Sequence, residues 1–407
     1  AARNRRVAED AMAGVPGARV EAIKLVEEFL AARGVEVEGM DLSWAAYEIY
    51  RELWGLGPLE EAYRDPAVNE IQVNAPDLVF VLRDLKLERL EGVRFQDDDH
   101  VLNLVARMVM HDRGVSLNRS SPTIESMRKD GTRITATCPP VSEHVTLVLR
   151  KHTPRVVTFE EMIERGVIDE KCRDLLRLLV RGRANMAVIG GVGSGKTTMV
   201  RTLFGETDLR ARAVVLETDR ELFLSKNYPG RNIVELEEHP EVGRTLKDLF
   251  RTVLRYTPTM IVVGEFRGEG EATEAVRACE RGHDGSLTTA HFNSPQEFVS
   301  GTARMLIREG YNLPEEAAMK LVATAFNVVV KMRGDATRGV IKLESITELL
   351  PGNPVQYREL LRWVPSGWDY YEGAWKLFEK PSERLLHRLF VYGVTAQMVE
   401  EVYQKWA

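Results

Sequence analysis

Met186-Ala187-Val188-Ile189-Gly190-Gly191-Val192-Gly193-Ser194-Gly195-Lys196-Thr197-Thr198 decides how this chain is read. Four apolar residues run straight into a glycine-rich loop, and a helix-forming run follows it. Gly190, Gly195, Lys196 and Thr197 satisfy the pattern G-x-x-x-x-G-K-[ST]. The chemistry accounts for the spacing. Glycines let successive backbone N–H groups turn inward around phosphate oxygens, and the N-terminus of the next helix adds partial positive charge. Lys196 is placed to reach the β- and γ-phosphates of ATP, and the Thr197 hydroxyl to ligate Mg²⁺. Residues 190–198 are therefore the expected nucleotide-binding set. A chance glycine-rich turn is the competing reading, and the strand–loop–helix context weighs against it.

Working outward, apolar β-type runs alternate with amphipathic helical patterns from about residue 155 to 350, the signature of an α/β fold with a parallel sheet. The strand candidates besides 186–189 are 213–216, 261–263 and 287–289. Glu217 follows the first of these and Glu265 closely follows the second. Carboxyl ends of parallel strands line the ligand crevice, so both acids are expected to face the phosphates. One can hold Mg²⁺ through water and the other can orient an attacking water. A single glutamate after a strand is ordinarily a loop residue; two downstream of one phosphate-binding loop reverse that weighting. The segment Gly282 to His291 places two histidines around a short strand that ends in hydroxyl residues. No cysteine or close third ligand accompanies them, so a metal site is disfavoured. An imidazole or hydroxyl that reports the γ-phosphate fits better than a metal site, but on these residues alone structural histidines are the preferred reading.

Composition bounds the rest. The 407 residues are 44% hydrophobic and 29% charged, ordinary values for a chain with sizeable cores. Lys and Arg number 55 against 61 Asp and Glu, a net charge of −6. That balance argues against non-specific coating of nucleic acid. The apolar run 321–330 is about half a membrane span and Asn327 interrupts it. Arg3, Arg5 and Arg6 lead into Glu9 and Asp10 rather than an apolar run, so no signal-peptide pattern opens the sequence. Three widely spaced cysteines fit a reducing, cytoplasmic compartment. The expected organisation is an N-terminal helical segment (1–60), a small α/β domain (61–152), a nucleotide-binding domain (153–350) and an aromatic-rich appendage (351–407). The second boundary rests on Lys151-His152-Thr153-Pro154, followed by a capping pattern at Thr158 and Glu161.

Several motifs in fixed order resemble the type II/type IV secretion ATPases, in particular the CpaF/TadA-like branch that drives tight-adherence or Flp-type pili. Gly55-Leu56-Gly57-Pro58-Leu59, Asp65-Pro66 and Ile71-Gln72-Val73-Asn74 look like that branch's N-terminal signature. Asp130-Gly131-Thr132-Arg133-Ile134 and Leu149-Arg150-Lys151 are similar to its D-G-S-R-V and I-R-K elements. Glu217 and Glu221 match the acids of the Asp box, and Gly264-Glu265-Phe266-Arg267-Gly268 resembles the Walker B element. Residues 282–295 are similar to the His box. The sequence departs from the pattern in three places. Thr218 stands where an aspartate is usual, the stretch 254–260 keeps one of three arginines, and Met127 replaces another arginine.

The resemblance implies a RecA-like ATPase domain preceded by a PAS-like domain and assembled as a homohexamer, with ATP and Mg²⁺ as cofactors. It implies Glu217 as the water-orienting residue, Glu265 and Thr197 in the metal's shell, and His291 as a catalytic-site residue. Arg133 and Arg150 would approach the phosphates from the N-terminal domain, with the linker near His152 as hinge. An inner-membrane platform protein is the expected partner, which places the chain at the cytoplasmic face of that membrane with no span of its own. The departures point to slow or partner-dependent hydrolysis. The alternatives are a conjugation or effector-secretion traffic ATPase of the same superfamily and a weakly catalytic assembly component. A RecA-type nucleic-acid motor is disfavoured by the acidic balance.

Overall fold

The computed structural model describes residues 2–83, 86–112, 114–151, 155–266, 270–335 and 337–406. The expected hinge residue His152, and Arg267 and Gly268 of the Walker B-like element, lie outside the described residues. The chain divides into two compact units, residues 1–153 with 336–339, and residues 154–335 with 340–407.

The first unit opens with helices Ala2–Met12, Ala18–Arg33 and Leu42–Leu53. Asp41 caps the third by accepting the Trp44 N–H at 2.7 Å. Val26 and Leu30, one turn apart, bury against Ala45 and Ala46. Six antiparallel strands follow: β1 (Val68–Ala75), β2 (Leu78–Arg83), β3 (Lys86–Arg89), β4 (Thr123–Met127), β5 (Arg133–Thr137) and β6 (Thr146–Arg150). Their order is β3-β2-β1-β6-β5-β4. Ile71, Val73, Val79, Val81, Ile134, Ala136, Leu147 and Leu149 recur at period two and put one face into a core. The helix Asp98–Val109 closes that core with Val101, Leu104, Val105 and Met108.

The second unit is built on a nine-stranded sheet. Its strands are β7 (Met186–Ile189), β8 (Ala213–Glu217), β9 (Ile233–Glu237), β10 (Met260–Phe266), β11 (Leu287–Ala290), β12 (Val328–Asp335), β13 (Val340–Leu350), β14 (Gln356–Pro365) and β15 (Gly373–Leu377). The order is β15-β14-β13-β12-β7-β11-β10-β8-β9. From β12 to β9 every pairing is parallel, and β12 to β15 pair antiparallel. Alternate residues enter different cores: Met186, Val188, Val215 and Val262 on one face, Ala187, Ile189, Val214 and Ile261 on the other. Helices Glu170–Arg181 and Lys196–Gly205 cover the first face, and Glu271–Glu280, Pro295–Arg308 and Glu315–Ala325 the second. Burial on both faces explains why these strands read as continuous apolar runs.

The 321–330 run is divided between two elements. The helix ends at Ala325, β12 begins at Val328, and the Asn327 carboxamide oxygen between them accepts the Asn185 N–H at 2.9 Å. Among the described residues, no helix is long and apolar enough to cross a membrane. Of the late aromatic residues, Trp363 on β14 and Trp375 on β15 stand opposite each other, ring centroids 4.4 Å apart, and join the first core.

Candidate active site

In the sheet order, β7 lies beside β11, then β10, then β8, so the strand carrying the glycine-rich loop borders the one ending near His291, and those ending near Glu265 and Glu217 come next in line. One cavity at their carboxyl ends is lined by Thr197, Glu217, Thr218, Asp219, Glu221, Leu222, Gly264 and Glu265.

The loop from Gly190 to Gly195 closes on itself through the Ser194 hydroxyl, which donates to the Gly191 carbonyl at 2.8 Å. Lys196 opens the following helix and is 6% exposed. Its ammonium donates to the same carbonyl at 2.9 Å and stands 3.3 Å from His291 Nδ1. His291 Nε2 is 2.5 Å from Glu265 Oε1. One neutral tautomer satisfies both contacts, with Nδ1 accepting from Lys196 and Nε2–H donating to Glu265. The loop is supported from below by β12. A Cβ at Gly334 would stand 2.9 Å from Ser194 Cα and 3.0 Å from the Gly193 carbonyl oxygen, so glycine permits this approach.

Glu217 ends β8 and is 3% exposed. Its Oε1 accepts the backbone N–H groups of Glu221 at 3.0 Å and Leu222 at 2.9 Å. Burial pushes its carboxyl up to about 8, against the downward pull of those two N–H groups. A Cβ at Gly264 would stand 2.6 Å from Glu217 Cγ, so glycine on β10 makes room for the side chain. The β10–β11 ladder slips at the same place, pairing Val263 with Thr288 and Glu265 with Thr289. The unpaired Gly264 is a bulge that re-aims the strand end, held by the Thr289 hydroxyl donating to the Gly264 carbonyl at 2.8 Å.

The donor set fits a metal-bound polyphosphate. A buried ammonium and a helix N-terminus face the loop, and the Cβ positions of Gly191 and Gly193 have no atom within 4 Å, leaving that side open. Thr197 and Glu265 offer hard oxygens on one cavity wall. Among the described residues, no three His, Cys, Asp or Glu side chains form a group able to hold a metal ion.

Of the two histidines flagged in 282–291, only His291 joins the cavity residues. His283 precedes β11, with Nδ1 3.1 Å from the Pro258 carbonyl oxygen, and burial lowers its pKa. Arg133 and Arg150 belong to the first unit, where they are direct partners across β5 and β6. Glu70 on β1 flanks Arg150 on its other side. Asp219, Arg201 and Gly334 are participants the sequence reading did not single out. For Gly334 a glycine inside a β-type run was the available signal. For Arg201 there was none, because its partners are backbone carbonyls.

The family model described as Type II/IV secretion system protein matches residues 52–333, and the chain belongs to this family. It is 28% identical over 320 residues to the type IV secretion system protein VirB11 of Brucella suis, covering 70% of this chain and 86% of the relative. It is 31% identical over 261 residues to the type IV secretion system protein PtlH of Bordetella pertussis, covering 56% of this chain and 74% of the relative. Among solved structures it resembles the ATPase DotB of Yersinia pseudotuberculosis at a TM-score of 0.50 and 14% identity, over 85% of this chain and 84% of that one. That likeness concerns the fold.

Proposed function

We propose that the chain is an ATP-hydrolysing motor of the CpaF/TadA-like branch, assembled as a homohexamer and powering assembly or retraction of a type IV or Flp-type pilus. The observation that carries this reading is the cavity that joins Thr197, Glu217 and Glu265 beside the Lys196 loop. Family membership supports ATP turnover, since the family comprises secretion ATPases. On this reading residues 153–350 are a RecA-like domain, 61–152 a PAS-like domain, 1–60 a helical lead-in and 351–407 an appendage.

The residues divide the work. Residues 190–198 cradle the triphosphate and Lys196 leaves His291 to neutralise it. Thr197 and Glu265 would hold Mg²⁺, which when bound supplies charge neutralisation at the phosphate oxygens. Glu217, fixed by two N–H groups, orients the attacking water, and its raised proton affinity suits a group that accepts a proton near neutral pH. Arg133 and Arg150 bring two guanidiniums to the charge developing on the γ-phosphoryl group. Domain closure around ATP transmits force to an inner-membrane platform protein from the cytoplasmic side.

Similarity to VirB11 and PtlH favours a second reading, a traffic ATPase for conjugation or effector secretion with the same chemistry. Platform-protein and pilin genes beside this one would favour the pilus; a conjugation or secretion gene cluster would favour the other. The test of both is phosphate release. Lys196→Ala should remove turnover while leaving the circular-dichroism spectrum unchanged. Turnover persisting at the wild-type rate in that variant would overturn the site assignment.

A further inference from the structure

Arg201 is a buried cation that the chemistry described so far does not use. It lies five residues after Lys196 on the same helix and is 8% exposed. Among the described residues, its guanidinium makes no close ion pair with the acids around it, Glu217, Glu221 and Glu235. Instead Nε donates to the Leu222 carbonyl at 3.0 Å and a terminal nitrogen donates to the Glu221 carbonyl. Burying a guanidinium is costly unless its N–H groups find acceptors, so its partners matter. Glu221 and Leu222 are the two residues whose N–H groups hold Glu217 Oε1. Arg201 therefore grips the carbonyl side of the same short turn whose amide side grips the carboxylate.

The arrangement leaves the turn little freedom. The Asn227 carboxamide donates to the Leu222 carbonyl at 3.1 Å, and Phe223 follows at φ +46, a left-handed conformation unusual for a bulky residue. The Tyr228 hydroxyl donates to the Arg201 carbonyl at 2.7 Å, tying this region back to the helix. Thr218 offers no carboxylate beside Glu217, so the placement of Glu217 rests on the turn.

We infer that Arg201 is a positioning residue for hydrolysis: it clamps the 221–222 turn so that Glu217 is held at a fixed place relative to Lys196 and Thr197. The clamp and the phosphate-binding loop share one helix, so a shift of that helix on nucleotide binding moves the Glu217 turn with it. This rests on the proposed ATPase reading and deepens it.

Steady-state ATP hydrolysis by the full chain with Mg²⁺ tests the inference on Arg201→Met, Arg201→Lys, Glu217→Gln and the Arg201→Met/Glu217→Gln double variant. Arg201→Met keeps the apolar stem and should lower kcat by about tenfold with KM for ATP within about threefold, because orientation is lost and nucleotide contact is not. Arg201→Lys, which keeps the charge and one donor nitrogen, should recover part of that loss. The double variant should be no slower than Glu217→Gln alone, since both changes remove one function. Should Arg201→Met not fold, Arg201→Lys and its double with Glu217→Gln carry the same comparison. Unchanged kcat in a folded Arg201 variant, or losses that multiply with Glu217→Gln, would overturn the clamp. Lys196→Ala separates the two ideas: if it retains turnover the ATPase reading fails, and if it alone abolishes turnover only the clamp fails.

Discussion

Glu217→Gln tests the buried carboxyl through stability as well as turnover. The glutamine side chain has nearly the same shape, and its carboxamide oxygen can still accept the N–H groups of Glu221 and Leu222. Only the ionisation is removed. The wild-type carboxyl is raised by burial from 4.5 to about 8. Between those values the native state keeps a proton that the unfolded chain releases, so stability falls as pH rises through this window and is level above and below it. At about 1.4 kcal/mol per pH unit the full window is worth on the order of 5 kcal/mol. Without nucleotide, this group should therefore lower the thermal stability of the wild type between about pH 5 and pH 8. The Gln variant should lack this group's share of that loss, so the two curves should diverge from about pH 5 to about pH 8 and run parallel above it. Calorimetric Tm measured at half-unit pH intervals follows the divergence. Parallel curves across pH 5–9 would show that Glu217 titrates normally, and the argument from burial would be wrong. The same ionisation should appear in turnover: wild-type kcat/KM for Mg·ATP should climb as pH approaches 8, because that ratio reports free-enzyme groups. At pH 8 the variant should hydrolyse at least about tenfold more slowly, with ATP affinity nearly intact.

Gly264→Ala places a Cβ 2.6 Å from Glu217 Cγ and should displace the carboxylate. Its kcat should fall toward that of Glu217→Gln while KM stays within about threefold. Gly334→Ala presses instead on loop backbone, 2.9 Å from Ser194 Cα, and should weaken ATP binding about tenfold or more by isothermal titration with the fold intact by circular dichroism. The facing pair Arg133 and Arg150 should matter for assembly as well as turnover. In sedimentation velocity with a non-hydrolysable ATP analogue and Mg²⁺, wild type should form a hexamer and Arg133→Ala/Arg150→Ala should form less of it; wild type remaining monomeric at micromolar concentration would count against the ring.

What could be read from the sequence was whatever is local. The phosphate-binding loop and its strand are contiguous, and β7 spans the four residues of its apolar run, 186–189. The runs at 213–216, 261–263 and 287–289 became β8, β10 and β11 because central parallel strands buried on both faces leave a strong apolar trace. The edge strand β9 was missed for the converse reason. Ile233-Val234-Glu235-Leu236-Glu237 is partly buried throughout and carries two acids. Beyond Thr347 the aromatic residues signalled packing, but nothing local indicated that β14 and β15 extend the nucleotide-binding sheet beyond β13. The pairing of Trp363 with Trp375 depends on a hairpin register set by tertiary contacts.

The same division runs through the site itself. Lys196, Thr197, Glu217, Glu265 and His291 announce themselves because each carries a reactive group at a strand end or helix start, where sequence pattern is informative. What makes them a site is supplied by residues with no such mark. Gly264 matters because of the volume it leaves for Glu217, Thr289 because its hydroxyl fixes the bulge that aims Glu265, and Gly334 because the loop rests against it. Arg201 matters through two carbonyls some 20 residues away. Side chains proposed to perform chemistry can be picked out by their type and spacing. Those that set angles and clearances act through backbone contacts between distant segments, which no single stretch of sequence encodes. Substitutions at the second group should therefore alter kcat or affinity while every recognisable motif remains intact.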